Sequence, residues 1–223
     1  MSMKLFVQAI TKLLSGIILV GLSLFLSAGD IFFKNTWLFM GILFVPMLLT
    51  GIVMMLKKPE LLKKRLKATE KHREQKVLVI LSAIMFLTGL IVAGLTFRFR
   101  WYTLPKEAVI IAVIIFLCGY ILYAQVIREN EYLSRVIEVC ENQKVIETGL
   151  YSVVRHPMYS ATLLMFLSMP LVLGSIYSFI IFLAYPYIIV KRLKSEEEFL
   201  EKNLDGYCEY KKKVKYRLIP FVW

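Results

Sequence analysis

The sequence predicts an all-α integral membrane protein with about six membrane helices, the last two of them paired in a tight hairpin. Two observations carry this prediction. Of the 223 residues, 58% are hydrophobic, and the mean hydropathy of +0.66 is far above that of a soluble domain. In addition, several uncharged segments approach the ~20 residues that an α-helix needs to cross ~30 Å of hydrocarbon. The chain is therefore expected to fold inside a lipid bilayer.

Four of these segments lie within residues 1–127. Three of them carry no charged residue, and they cover residues 37–56, 77–97 and 108–127. Residues 5–28 are a weaker candidate, because Lys12 interrupts the apolar pattern near its start. Each segment is long enough to cross the bilayer once. We therefore expect four transmembrane helices before residue 128.

A longer uncharged segment follows at residues 158–190. A straight helix of these 33 residues would be about 50 Å long, which is more than a bilayer requires. Pro170 and Gly174 lie in its middle and favour a turn over residues 170–175. Since two arms of about 15 residues remain, the segment is predicted to form a helical hairpin that begins and ends at one membrane face.

The basic residues indicate which face that is. All but four of the 28 lysines and arginines lie near the amino terminus, in residues 57–76, in residues 128–156 or after residue 190. The exceptions are Lys34, Arg98, Arg100 and Lys106. By the positive-inside rule, both termini and the basic segments are expected in the cytoplasm. Anionic lipid headgroups then account for the net charge of +12, and a nucleic-acid partner is not expected.

The basic segment 57–76 has two interpretations. It could form an amphipathic helix that lies on the membrane surface. It could also be an orientation signal without further function, which is the simpler explanation for a basic loop between two membrane helices.

Metal and thiol chemistry find little support in the sequence. Cys118, Cys140 and Cys208 show neither metal-ligand nor redox spacing, and the histidines are His72 and His156. A zinc or iron centre is therefore not expected. Glycine-rich phosphate loops and serine-histidine-aspartate orders are also missing from the sequence.

Polar residues gather at the start of the predicted hairpin, in residues 149–159. Gly149 permits a tight loop, and Pro157 suits the first position of a helix because it has no amide hydrogen to leave unpaired. The free backbone donors of that helix start would lie beside Arg155 and His156, where an anion would be stabilised. A simpler interpretation is an interfacial anchor, with Tyr159 at the level of the headgroups.

A second polar group follows the hairpin. Arg192 and Glu196 are four residues apart, which places them on one face of a helix, and a solvated helical ion pair would explain them by itself. The hairpin, however, returns this helix to the membrane face that holds Arg155 and His156. Ionisable residues from two distant segments are then expected to converge in a pocket, which is typical of a binding site.

The two groups resemble the isoprenylcysteine carboxyl methyltransferase (ICMT) family and its phospholipid methyltransferase relatives. The matching motifs are Gly-x-Tyr-x-x-x-Arg-His-Pro-x-Tyr at 149–159, Arg-x-x-x-Glu-Glu-x-x-Leu at 192–200 and Gly-Tyr-x-x-Tyr at 206–210. The resemblance covers roughly residues 125–220, so residues 128–223 are identified as the methyltransferase core. It implies an S-adenosylmethionine-dependent methyltransferase whose cofactor pocket opens to the cytosol between the loop before the hairpin and the C-terminal helix.

The resemblance also implies roles for individual residues. Arg155, Arg192 and Glu197 would be catalytic, with Arg192 facing a carboxylate of the substrate. Glu197 is common to both registers of the glutamate motif, since counting from Arg192 selects Glu196 and Glu197, and counting back from Gly206 selects Glu197 and Glu198. The cofactor-binding residues would be Gln143, Lys144, Val145, Ile146, Tyr151, His156, Pro157, Met158, Tyr159, Glu196 and Glu197.

The identity of the acceptor depends on chemistry that the residues only partly define. A carboxylate is already ionised at pH 7 and needs a cation to position it, which favours O-methylation of a prenylated cysteine or a related lipid acid. An amine would need its proton removed by His156 or a glutamate, as in phospholipid N-methylation. Two further classes of protein are compatible with the residues, namely an NADPH-dependent sterol-type reductase and a non-enzymatic membrane protein. In the enzymatic cases, the bilayer would supply the lipophilic substrate.

Overall fold

The computed structural model describes residues 3–66, 73–134 and 136–223, and it is all-α across these ranges. Within these ranges, β-pairing is limited to one isolated bridge between Thr103 and Ser175. The α-helices are α1 (Met3–Ala28), α2 (Lys34–Lys57), α3 (Pro59–Leu66), α4 (Arg73–Arg98), α5 (Lys106–Glu129), α6 (Pro157–Val172), α7 (Ile176–Phe182), α8 (Ala184–Asn203) and α9 (Tyr207–Lys213).

The membrane-protein prediction is confirmed. Five helical stretches in the described part of the chain are long and apolar enough to cross a bilayer: α1, α2, α4, α5 and the combined stretch of α7 and α8. The count of six is not confirmed, because α6 has 16 residues and is about 24 Å long, less than the ~30 Å of a hydrocarbon core.

The helices run between two ends of the molecule. We call the end that holds residues 127–134 and 136–157 the site end, and the end that holds residues 98–106 the far end. Helices α1, α4 and α6 run from the site end to the far end, and α2, α5 and α8 return. The four basic residues that the sequence set apart from the rest all lie at the far end, where they flank α2, α4 and α5. The uneven distribution of basic residues along the sequence therefore corresponds to the two ends of the helices.

The predicted hairpin is present, but its turn is shorter than the sequence suggested. Helix α6 continues through Pro170 and ends at Val172, because a proline in the last turn removes only one backbone hydrogen bond. The reversal is made by residues 173–175, where Gly174 adopts φ +78°, a conformation that favours glycine. The second arm also extends further than predicted, since α8 continues from the apolar segment to Asn203.

Buried hydroxyl groups attach the hairpin tip to α4. The Ser175 and Thr96 hydroxyls are 2.8 Å apart, and the Ser178 hydroxyl donates to the carbonyl of Gly89 at 2.8 Å. The amide of Leu104 donates to the carbonyl of Gly174 at 3.0 Å. Because unpaired polar groups are costly in hydrocarbon, these bonds fix the depth at which the hairpin sits.

Close packing at two glycines joins α4 to the hairpin and to α1. A Cβ at Gly89 would come within 2.2 Å of the Phe182 ring, and one at Gly94 would come within 2.8 Å of the Leu24 carbonyl. Small residues of this kind let membrane helices approach closely. The main hydrophobic cluster accordingly joins residues from both parts of the chain, including Phe39, Phe116, Phe182 and Leu193.

The basic segment 57–76 is only partly described. Its residues 59–66 form α3, in which Leu61 and Leu62 are buried against Met54, Val126 and Ile127. The side chain of Lys58 donates to the carbonyl of Arg128 at 2.9 Å, close to the end of α5. Helix α3 therefore packs on the protein in addition to any contact with lipid. Residues 67–72, with His72, lie outside the described ranges.

Candidate functional site

A polar cavity opens at the site end, between an irregular loop, the start of α6, and helices α8 and α9. The described part of this loop, called loop 130–148 below, consists of residues 130–134 and 136–148. Most of the residues that the sequence singled out line it. They are Gln143, Lys144, Val145, Ile146, Tyr151, Arg155, His156, Met158, Tyr159, Arg192 and Glu196. Pro157 and Glu197 are not part of the lining; Pro157 begins α6, as predicted, and Glu197 lies behind the wall.

The buried carboxylate of Glu197 organises that wall. It is 3% exposed and accepts hydrogen bonds from three cationic or potentially cationic side chains. Arg155 Nε lies 2.7 Å and His156 Nε2 3.2 Å from its Oε1, and Arg217 Nε lies 3.0 Å from its Oε2. A carboxylate with this many charge-assisted bonds is held in one orientation. Glu197 thus connects α8 to the loop before α6 and positions both residues that precede Pro157.

The C-terminal tail completes the same wall. Arg155 donates from its Nη1 to the carbonyls of Val214 and Lys215, at 2.7 and 3.0 Å. The amides of Arg155 and His156 donate to the carbonyls of Tyr216 and Arg217. Nε and Nη1 of Arg155 therefore hold Glu197 and the tail against the start of α6, and its side chain also borders the cavity.

A separate polar chain faces the cavity. Arg192 Nε donates to the Tyr159 hydroxyl at 3.1 Å, and that hydroxyl donates to Glu196 in a very short contact. Glu196 and Glu197 are adjacent in sequence but point to different sides of α8, one into the cavity and one into the wall. Within the glutamate motif, Glu196 lines the cavity and can contact a ligand, whereas Glu197 supports the residues beside it.

Tyrosines form the opposite side of the cavity. The Tyr151 hydroxyl accepts a bond of 2.8 Å from the Asn130 side chain, and the Tyr210 hydroxyl donates to the Tyr151 carbonyl at 2.7 Å. Burial raises the pKa of Tyr151 to about 12, even though the bond from Asn130 lowers it. The phenol is therefore neutral at physiological pH. Burial also raises the pKa of Tyr210 well above its usual value.

Gly149 holds this side close to α5. Its φ of +60° favours glycine, and a Cβ there would come within 2.5 Å of the Glu129 carboxylate. The same carboxylate accepts from the Leu150 amide at 2.8 Å. The glycine that the sequence predicted as a loop residue is thus required both for the turn and for close packing on Glu129.

One buried polar group in the cavity wall has no partner within the described ranges. Tyr207 is 4% exposed, and its hydroxyl makes no hydrogen bond. Burial raises its pKa well above the usual range, so the group is an uncharged donor and acceptor. Because a buried hydroxyl without a partner is unfavourable, Tyr207 is suited to a polar ligand that supplies one.

The lining as a whole fits a ligand that carries a positive group, a negative group and several hydroxyl or amide groups. It offers the Glu196 carboxylate, the His156 ring, the Arg192 guanidinium and the phenols of Tyr159 and Tyr207. The cavity has a volume of about 120 Å³, below the ~300–1,000 Å³ of typical small-molecule sites. A nucleoside-sized ligand would therefore have to move the side chains of loop 130–148 apart.

Sequence reasoning missed part of the lining. Residues 130–134 and 136–138 contribute one rim of the cavity, and they form an irregular segment without periodicity that could have marked them. Tyr207 and Tyr210 belong to the Gly-Tyr-x-x-Tyr motif, which the sequence did not assign to the pocket. The sequence signal that could have identified them is Gly206, because glycine favours a turn at this position. In the structure it adopts φ +82° and turns the chain between α8 and α9.

Comparison with protein families supports the resemblance carried by the motifs. Residues 108–205, a little under half of the chain, match the family described as phospholipid methyltransferase. The match begins in α5 and ends just before α9, so it contains the hairpin and both glutamates of the motif.

Two individual proteins are also similar. The Delta(14)-sterol reductase TM7SF2 of Mus musculus is 31% identical over 90 residues, which is 39% of this chain and 22% of the reductase. The chain thus corresponds to about a fifth of that relative. The eukaryotic intramembrane Ras methyltransferase ICMT has a similar structure, with a TM-score of 0.56, covering 92% of this chain and 73% of that protein. At 17% identity, this second likeness concerns the fold.

Proposed function

We propose a lipid-directed reaction for this chain, whose family match and fold support a membrane methyltransferase of the phospholipid methyltransferase and ICMT type. In this proposal, the chain transfers a methyl group from S-adenosylmethionine to a lipophilic acceptor that reaches the site from the bilayer. The observation that carries the proposal is the cavity at the end of the hairpin, where Glu196, Tyr159 and Arg192 form a continuous polar chain.

The cofactor would lie between loop 130–148 and helices α8 and α9. When bound, its sulfonium supplies an already activated methyl group, so that the reaction needs positioning more than further activation. Glu196 would accept from an ammonium group, and the His156 ring, held by Glu197, would present its free side to the ligand. The Tyr207 hydroxyl would gain the partner that it lacks.

The acceptor would approach from the membrane side of the same cavity. Arg192 lies where α8 leaves the apolar segment, and a planar guanidinium at this place is suited to pair with an anionic oxygen. We therefore favour O-methylation of a lipid carboxylate, with a prenylated cysteine as the leading example. The site would face the cytoplasm, in agreement with the excess of basic residues at the site end.

Two specific observations favour two other activities as alternatives. The matching family is described by phospholipid methylation, which favours an amine acceptor as the second candidate. The similarity to a sterol reductase over 90 residues favours, as a third candidate, binding of a nicotinamide cofactor in the same cavity. The three candidate activities differ in the cofactor that must bind and in the acceptor that would receive a labelled methyl group.

The decisive experiment uses purified protein in detergent and in lipid. We expect S-adenosylmethionine and its demethylated product S-adenosylhomocysteine to bind in calorimetry, and NADPH neither to bind nor to compete. With methyl-labelled cofactor, label should enter a farnesylcysteine analogue in preference to ethanolamine lipids. Labelled ethanolamine lipid alone would favour the second candidate. Binding of NADPH without binding of the sulfonium cofactor would contradict methyl transfer.

The orphaned hydroxyl allows a sharper test of the cofactor site. Tyr207→Phe removes one buried oxygen and keeps the ring, so the protein should unfold at the same temperature or slightly higher. Its affinity for S-adenosylhomocysteine should fall about tenfold, the usual effect of one lost hydrogen bond to a polar ligand. Tyr216→Phe, on the half-exposed tail, is the control. Equal affinity in Tyr207→Phe and the wild type would remove Tyr207 from the binding residues.

A further inference from the structure

Arg65 lies just outside the cavity, in a position that the motifs did not indicate. It belongs to α3, the short helix between the second and third membrane helices, and its side chain is half-buried. The guanidinium carbon lies 5.1 Å from the centre of the Tyr123 ring, and Nη2 donates to the Tyr123 hydroxyl in a very short contact. Its Nη1 is 3.9 Å from the sulfur of Met158, which lines the cavity.

The direct contacts of this guanidinium are with uncharged groups. Within the described ranges, Arg65 makes no ion pair, and its close contacts are the phenol of Tyr123 and the thioether of Met158. A half-buried guanidinium is normally matched by an anion, because removing it from water is costly. Phenols donate and accept hydrogen bonds but provide no charge.

Arg65 and Arg192 flank the same region from two sides. Arg65 contacts Met158, and Arg192 donates to the hydroxyl of the next residue, Tyr159. Met158 forms the wall between Arg65 and the cavity. The aromatic ring of Tyr120 packs on that of Tyr123 at 6.1 Å and continues the region along α5 into the apolar part of the molecule.

We propose that Arg65 and Tyr123 form an anion-binding subsite for the acceptor, on the bilayer side of Met158. This inference rests on the proposed function, and it defines the acceptor class as a lipid with an anionic oxygen group, either a carboxylate or a phosphodiester. The apolar tail lies along α5 between the membrane helices, and the anion binds Arg65. The subsite thus receives the acceptor beside the cavity, before its reacting group passes Met158 to Arg192 and the cofactor.

The test compares amphiphiles that carry an anionic oxygen group, called anionic below even where an ammonium balances the charge, with counterparts that lack this group, in a neutral detergent. One pair is N-acetyl-S-farnesylcysteine and its carboxamide, and the other is phosphatidylethanolamine and diacylglycerol. Binding is measured in the presence of S-adenosylhomocysteine for the wild type, Arg65→Gln and Tyr123→Phe. Lys63→Gln is the matched control, because Lys63 lies on the same helix with a side chain that is 72% exposed.

We expect the wild type to prefer at least one anionic amphiphile, and Arg65→Gln to lose about tenfold in affinity for that anion alone. Affinity for the neutral counterpart and for S-adenosylhomocysteine should stay within about twofold. The pair that responds identifies the anion. The proposal is overturned if the wild type binds no anion in preference to its neutral counterpart, or if Arg65→Gln weakens both members of a pair equally. Failure of the proposed function would appear separately, as absent cofactor binding and absent methyl transfer.

Discussion

Glu197→Gln is expected to weaken the protein and its cofactor site together. The change removes the negative charge from a carboxylate that is 3% exposed and bonded to Arg155, His156 and Arg217. Breaking a buried ion pair by removing one partner typically costs about 3–5 kcal/mol. The amide would retain some of the hydrogen bonds, so the loss should lie at the lower end. Thermal unfolding in detergent measures it.

The same variant should bind S-adenosylhomocysteine at least about tenfold more weakly, because the His156 ring loses the group that orients it. Glu198→Gln is the matched control, since Glu198 is the next residue on α8 and is exposed. A double variant, Arg155→Met with Glu197→Leu, separates the two effects: removing both charges should recover stability without recovering binding. Wild-type unfolding and binding in Glu197→Gln would contradict the supporting role of this carboxylate.

Arg192→Ala is expected to reduce methyl transfer by about 10²–10³-fold, the effect of removing one positioned donor from a reaction centre. Its guanidinium borders the cavity and donates to the Tyr159 hydroxyl at 3.1 Å, so the variant loses both the acceptor contact and the partner of Tyr159. Arg192→Lys should remain impaired, because an ammonium keeps the charge but cannot reproduce the planar fork of donors. Label transfer from methyl-labelled cofactor to extracted lipid measures the rate.

The control for this prediction is Lys194→Gln, which changes an exposed cation on the same helix. Cofactor affinity in Arg192→Lys should stay within about threefold of the wild type, so that a loss of rate reports on the acceptor. If Arg192→Ala still transferred methyl groups within a few-fold of the wild-type rate, Arg192 would have no direct role in the reaction.

The site was predictable to the extent that it rests on local motifs. His156, Pro157 and Tyr159 could be recognised because a proline at a helix start, next to polar residues, has a meaning within a few residues of sequence. The different directions of Glu196 and Glu197 could not be predicted. Adjacent residues on a helix point about 100° apart, and which of them faces the cavity depends on how α8 is rotated against α6 and the tail.

Contacts between residues far apart in the chain could not be predicted from the sequence either. Arg65 precedes Tyr123 by 58 residues, and Arg155 precedes the Val214 carbonyl by 59. Such pairs leave no periodic signal, and nothing in the irregular loop 130–148 marks it as one side of a cavity. Contacts between distant segments are set only by the position of each helix in the bilayer and by its packing against neighbouring helices.

Hydrophobicity and segment length were enough to predict that this protein is helical and membrane-embedded, where its membrane segments lie, and that the segment after residue 157 reverses direction. A polar backbone in hydrocarbon must bond within its own helix, and each crossing needs a set number of residues. Only the packed helices reveal which glutamate faces the cavity, that Arg155 binds the carbonyls of the tail, and that Arg65 reaches Met158. These features depend on the rotation of each helix against its neighbours, because the bilayer constrains the length and polarity of a helix but not its rotation.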